Sequence, residues 1–390
     1  MSAPASETAM VLSGGGAYGA FAVGIMKALF AGRSPATVYT PLAADIFTGT
    51  SVGAFNAAMM VAHGREDLLS AANALENVWL NLVADRPGRC GNGIFRVRGN
   101  LAEFIDASCL AQPATMVSRI ADDSVALSRY VLERAANFLL SSAPLEERAM
   151  ALVNVGSFVD SAPYAEMLNT VIHEDAIRDS PKHLRIVSTN WVTGEARSFN
   201  NSDFLDGRGI RSIMASTSIP GVFPPERIDE DLYVDGGVVE NTPLGPAIDV
   251  GATNLHVVYL DPNPGVVRLR GEPYTVDTML RVYLIMLATK LSEDIETARW
   301  INAGLDAIAA YREDQAASDS AIRDFIRVAG QFLKAGKSYK RLTIHRYFPE
   351  KALGNDLGML NFGIDPIARM ITEGERVALL HDCAESNCVI

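Results

Sequence analysis

The chain has 390 residues, of which 48% are apolar, and a formal net charge of −12. That content suffices for a buried core in one large α/β domain or two smaller ones. A pI near 5.0 leaves no basic footprint for nucleic acid or for electrostatic docking on anionic lipid, so contact with a membrane surface would be transient and hydrophobic.

Residues Met1 to Thr8 carry no basic stretch or small-residue cleavage site of the secretory kind, which predicts no signal peptide. The longest uncharged stretches, Thr8 to Met26 and Ile46 to Ala62, are broken by glycines and hydroxyl residues and do not read as membrane spans. The expectation is a cytoplasmic protein, peripheral at most. Its four cysteines, Cys90, Cys109, Cys383 and Cys388, are too few and too scattered for a disulfide framework or a zinc site of CxxC spacing. Reduced thiols, no metal and no organic cofactor are expected.

In chain order, Ala9 to Leu12 reads as a short apolar strand, followed by the glycine turn Ser13-Gly14-Gly15-Gly16 and a helix from Ala20 to Phe30. The pattern repeats at once. Asp45 to Thr48 leads into Gly49-Thr50-Ser51-Val52-Gly53 and a small-residue helix, Ala54 to Ala62. Two successive strand-turn-helix units imply a parallel sheet.

From about residue 85 to 156 the alternation lapses into a Gly/Arg-rich loop and helix-like stretches, Val125 to Leu140 and Leu145 to Val155. This region is expected to be an inserted helical cap. It would either shield a site or pack on the domain's flank. Further strands are predicted at Leu184 to Ser188, Leu255 to Leu260 and Leu342 to His345. Between them, Thr278 to Tyr311 is long and periodic, and its apolar run Tyr283 to Leu287 reads as core. A last helix is predicted over Asp365 to His381.

Gly49 to Gly53 is a GxSxG on a strand-to-helix turn. A serine there needs small neighbours, because the backbone is strained and a Cβ would clash. Its hydroxyl lies at the N-terminus of the next helix, where a developing negative charge is favoured. The loop Gly14-Gly15-Gly16-Ala17-Tyr18-Gly19 on the preceding turn can offer backbone N–H groups to an oxyanion. The same six residues fit the dinucleotide fingerprint GxGxxG, but Asp45 lies too far on and begins its strand, and that reading leaves the GxSxG unexplained.

A nucleophilic serine needs a base. Of the six histidines, only His345 and His381 fall late enough for a Ser…Asp…His order. The alternative is Asp235, at the end of the apolar strand before Gly236-Gly237; on spacing alone an Asp-Gly hairpin turn is the better explanation.

Taken together, Gly14 to Gly19, Gly49 to Gly53 and Asp235-Gly236-Gly237, with Met214 to Pro225 and Val239 to Pro243, resemble the patatin-like phospholipase family. The resemblance covers roughly residues 9–80 and 157–262. It implies a three-layer α/β/α sandwich with a mainly parallel central sheet and a helical cap insertion. The catalytic domain would span 9–262, with a mainly helical part, 263–390, packed on it. It also implies Ser51 as nucleophile and Asp235 as proton acceptor in a dyad without histidine. The oxyanion hole would be Gly14, Gly15, Gly16, Ala17, Tyr18 and Gly19, and the nucleophile elbow Gly49, Thr50, Val52 and Gly53. Phospholipids or other fatty-acyl esters are the implied substrates, with a non-phospholipid carboxylesterase or acylglycerol lipase as the alternative. One departure is Tyr18, where many members carry Arg or Lys.

Overall fold

In the computed structural model the described residues are 7–85, 94–97, 110–111, 113–140, 159–260, 278, 282–283, 285, 295–307, 340–354 and 358–390. Strand β1 (Glu7–Leu12) is followed by helix α1 (Gly19–Phe30), β2 (Ile46–Thr50), α2 (Val52–His63) and α3 (Leu68–Val78). Then come β3 (Arg96–Val97), α4 (Pro113–Leu140), β4 (Val159–Asp160), α5 (Ala162–Val171) and α6 (Glu174–Arg178). After β5 (His183–Asn190) and β6 (Ala196–Asn200) the chain forms α7 (Arg208–Ser216), β7 (Glu226–Ile228), β8 (Asp231–Asp235) and α8 (Leu244–Val250). Strands β9 (Ala252–Val258) and β10 (Thr343–Tyr347) and helix α9 (Ile364–Leu379) complete the fold.

Five strands are parallel in the order β10-β9-β1-β2-β5. Strands β6 and β8 pair antiparallel with β5, and β7 with β8. The expected mixed, mainly parallel sheet with flanking helices is therefore present. Alternation along β1 sorts the core into two layers. Met10 and Leu12 join a cluster with α1, α2, α3 and α9, whereas Ala9 and Val11 join one with α8 and the helical residues 295–307.

Pairing on β5 decides where the strand ends fall. Strand β2 pairs with His183 to Val187, and β6 with Arg185 to Thr189. Because both bond Arg185 to Val187, they occupy opposite sides of β5. Strand β8 pairs with Ser188 to Asn190, overlapping β6, so it lies on the same side as β2. The two strands therefore meet end to end: Thr50 faces Val187 and Asp235 faces Ser188.

The last helix is part of the same body. Gly24 on α1 and Gly374 on α9 face each other's backbones, and a Cβ on either would collide with Ile371 O or Phe21 O. Of the expected insertion, about residues 85–156, β3 and α4 are described; the stretch Leu145 to Val155 and most of Thr278 to Tyr311 lie outside the described residues. Cys383 and Cys388 are free thiols, as expected, but they are not scattered. Cys383 and Cys388 come together with His345 and His381 in one cluster, because the turn after α9 folds back against β10.

Since the α1–α9 contact is backbone against backbone, no side-chain rotation relieves an added methyl group. Gly374→Ala is expected to lose about 1–3 kcal/mol of stability, read as a lower urea midpoint with an unchanged slope.

Candidate active site

Ser51 sits between β2 and α2 with φ 55° and ψ −128°, a conformation L-residues rarely hold and one that marks functional turns. The elbow is tight on both flanks. A Cβ on Gly49 would strike Gly53 O, and one on Gly53 would strike Leu12 O, so both positions must be glycine. Ser51 is buried, yet it lines a pocket that opens to solvent. Its own N–H donates to Ser216 Oγ at 2.9 Å, and Ser216 Oγ–H donates to Val187 O at 2.6 Å. This relay holds the strained turn onto β5 and removes the Ser51 amide from any catalytic use.

The segment after β8 laces the three corners together. Thr50 Oγ1–H donates to Glu240 O at 2.8 Å and Thr48 Oγ1–H to Pro243 O at 2.9 Å. Gly14 N–H donates to Asn241 O at 3.2 Å, while Ser13 and Thr242 share a hydroxyl contact of 2.8 Å. A Cβ on Gly14 would approach Ser51 Cβ to 2.8 Å, so the glycine loop lies directly against the elbow.

Not all of that loop is free to donate. Gly14 N–H is used as above, Tyr18 N–H donates to Gly15 O, and Gly19 N–H turns back to Ala17 O and Gly16 O. The N–H groups of Gly15, Gly16 and Ala17 bond no acceptor among the described residues. Gly16 has φ +57°, and a Cβ there would hit Met359 O. Tyr18 is buried and its hydroxyl packs against Gly354 and Gly358, so the side chain serves the fold at a position where the family resemblance expects a cation.

Asp235 is fully buried. Its Oδ1 accepts the Gly237 N–H at 2.8 Å, its own N–H donates to Ser218 O at 2.9 Å, and Thr189 Oγ1–H donates to its carbonyl at 3.0 Å. Oδ2 is buried without a partner of full hydrogen-bond geometry. A Cβ on Gly236 would meet Val187 O and stand 3.0 Å from Thr50 Cγ2, so the acidic corner abuts the elbow. Burial pushes the Asp235 pKa up to about 6, opposed by hydrogen bonding from Ser51, from the Gly237 N–H and from Tyr283. Desolvation wins because a carboxylate stripped of water has too few donors to replace it.

The cavity wall is apolar: Val52, Phe55, Trp79, Phe95, Phe223 and Phe362 line it. Trp79 begins a π-helical turn, Trp79–Val83, of the kind often found at functional sites. Its Nε1–H donates to Asn56 Oδ1 at 2.9 Å, and Asn56 Nδ2–H donates to Gly19 O at 3.0 Å, which ties the wall to the glycine loop. Tyr164 is also in the wall; burial, together with the nearby Asp235 charge, raises its pKa. None of the six histidines lines the cavity, and His345 and His381 lie beside β10.

The sequence profile of the patatin-like phospholipase family matches residues 10–248, which takes in the glycine loop, the elbow and the Asp235 corner. The chain belongs to the patatin-like phospholipase family. It is accordingly a serine hydrolase acting on carboxylic ester bonds, and the dinucleotide reading of Gly14 to Gly19 falls away. Among solved structures, the crystal structure of VipD from Legionella pneumophila aligns with 95% of this chain and 68% of its own at 13% identity, with a TM-score of 0.36. The corners around Ser51 are held by turns and backbone hydrogen bonds rather than by long side chains. Sequence reading assigned no role to Ser216, Asn241 or Tyr283, although the first two lie in stretches that carry the family resemblance. Among the described residues no helix is long and apolar enough to cross a membrane.

The raised Asp235 pKa has a stability consequence. Between its unfolded value near 3.8 and about 6, the folded state binds more protons than the unfolded one, so stability falls as pH rises through that window. Above it the fold bears the whole cost, on the order of 2–4 kcal/mol. Asp235→Asn should therefore be more stable than the parent at pH 8, with the advantage vanishing near pH 4, as read by urea unfolding across that range.

Proposed function

We propose that this protein is a lipid acyl hydrolase of phospholipase A or lysophospholipase type, with Ser51 as nucleophile and Asp235 as its only base. The observation that carries the reading is the end-to-end meeting of β2 and β8 along β5, which brings the Ser51 hydroxyl and a buried carboxylate to one point at an apolar cavity. An ordinary surface aspartate is too weak a base for a serine. Desolvation lifts Asp235 into the range where histidine usually works, so the dyad dispenses with an imidazole.

In this scheme Asp235 accepts the Ser51 proton as Oγ bonds to the ester carbonyl carbon. The carbonyl oxygen takes up the negative charge opposite the N–H groups of Gly15, Gly16 and Ala17 and the N-terminal end of α2. Collapse breaks the carbon–oxygen bond to the leaving alcohol, which receives the proton from Asp235. Water then attacks the acyl-serine, Asp235 takes its proton, and Ser51 recovers one as the fatty acid leaves. The aromatic wall provides an apolar berth for the acyl chain. A transient, hydrophobic contact with lipid aggregates belongs to the same reading; equal rates on monomeric and micellar substrate would remove it.

On a chromogenic acyl ester, Ser51→Ala and Asp235→Asn should each lose at least about 10³-fold in kcat, while His345→Ala and His381→Ala in the folded state retain theirs. Activity surviving in Asp235→Asn would end the dyad. For the parent enzyme, kcat/KM should rise tenfold per pH unit below about 6 and level off above it, as Asp235 becomes ionised. Gly16→Ala, which loses the positive φ and strikes Met359 O, should cost roughly 10²-fold in kcat.

A further inference from the structure

Far from the catalytic cavity, four side chains with metal-binding atoms converge. His345 is on the edge strand β10, His381 follows α9, and Cys383 and Cys388 lie on the turn that returns to β10. Cys383 Sγ is 3.3 Å from His345 Nδ1 and 3.4 Å from His381 Nε2, and Cys388 Sγ is 3.6 Å from His381 Nε2. All four ligand atoms lie within 4.8 Å of one another. A tetrahedral zinc ion with its ordinary bond lengths separates sulfur from nitrogen by roughly 3.6 Å and sulfur from sulfur by roughly 3.8 Å. The spacing here already has that size.

The cluster is also held in place from behind. His345 stacks on His256 at 4.7 Å between ring centroids, His256 Nδ1 is 2.9 Å from Tyr347 Oη, and the Tyr347 ring lies 4.5 Å from that of His381. The turn is braced by Cys388 N–H to Cys383 O at 3.0 Å and by Ala384 N–H to Asp382 Oδ1 at 2.7 Å. Beyond it, Val389 and Ile344 exchange two backbone hydrogen bonds at 2.7 and 3.0 Å. Each imidazole presents one nitrogen to the sulfurs, and the other nitrogen of His381, Nδ1, is buried without a hydrogen-bond partner. That ring's polar capacity is therefore spent on the cluster alone.

We infer that His345, His381, Cys383 and Cys388 form a four-coordinate zinc site that fastens the C-terminal turn to the edge of the sheet. Two thiolates and two imidazoles in a tetrahedron select zinc among the common divalent cations. Binding one Zn²⁺ displaces the two thiol protons to solvent, and two thiolate charges cancel that of the ion, so a half-buried site ends neutral. With all four positions taken by protein there is none for water or ester, which makes the site structural. It is separate from the catalytic cavity, being three strands removed from β2 in the sheet. The rival is a disulfide between Cys383 and Cys388, which are free thiols here.

The test uses the full chain, purified under reducing conditions with zinc and then desalted. Elemental analysis should find about one zinc per chain, retained in Cys90→Ser/Cys109→Ser and lost in Cys383→Ser/Cys388→Ser. Exchange with Co²⁺ in the unmutated chain should give the intense visible bands of a tetrahedral ion and a near-ultraviolet thiolate charge-transfer band. Those signals need no variant to fold. Chelation should lower Tm by about 4 °C or more and leave the Ser51 reaction at its former rate in the protein that remains folded. Failure of the reduced chain to retain zinc, octahedral cobalt spectra, or peptide mapping that finds Cys383 linked to Cys388 in the metal-treated protein would each overturn the inference.

Discussion

Strand β5 is paired along a single side by two strands that run in opposite directions and stop against each other, β2 arriving at Val187 and β8 at Ser188. Neither strand can slip by one residue without turning its side chains to the wrong face of the sheet. The Ser51 hydroxyl and the Asp235 carboxylate are thus positioned by backbone hydrogen bonds. The elbow's unusual torsion is held by the Ser51–Ser216–Val187 relay, and the 240–243 segment ties the acidic corner to the glycine loop. Such a site depends on many small constraints that all run back to β5.

The same closeness explains the electrostatics. A carboxylate at the end of a strand would ordinarily reach solvent, but Asp235 is covered by the elbow and the segment around Ser218. It keeps one N–H donor at full geometry, and hydrogen bonding from Ser51, Gly237 and Tyr283 offsets only part of its desolvation. The fold therefore holds this carboxylate in a state it would prefer to leave, a cost in stability of the kind that functional sites often carry.

Much of this was legible along the chain. Short apolar strands followed by glycine turns and helices marked β1–α1 and β2–α2, because apolar runs and glycine breaks are local signals. Strand β8 was visible for the same reason. The polar strands β6 and β7 were not, since Ala-Arg-Ser-Phe-Asn and Glu-Arg-Ile carry too weak a period. Tyr283 looked like core, and its effect on Asp235 arises only from tertiary packing. The glycine loop is legible as a unit of six, Gly14 to Gly19, but which of its N–H groups remain free depends on hydrogen bonds that spacing does not encode. The His/Cys cluster was missed because its members Cys383 and His345 stand 38 residues apart, and neither fits the short ligand spacings by which metal sites are usually read.

Met359 presents its carbonyl to Gly16, and Leu360 and Phe362 stand in the cavity wall, more than a hundred residues after the family match ends at 248. The cavity is thus lined from both ends of the chain, part of its wall contributed by a segment that the family pattern does not include. Relatives that share the glycine loop and the elbow but differ after residue 248 would present a different ceiling to the same chemistry. Substrate preference can then diverge in this lineage without any change at the reacting atoms.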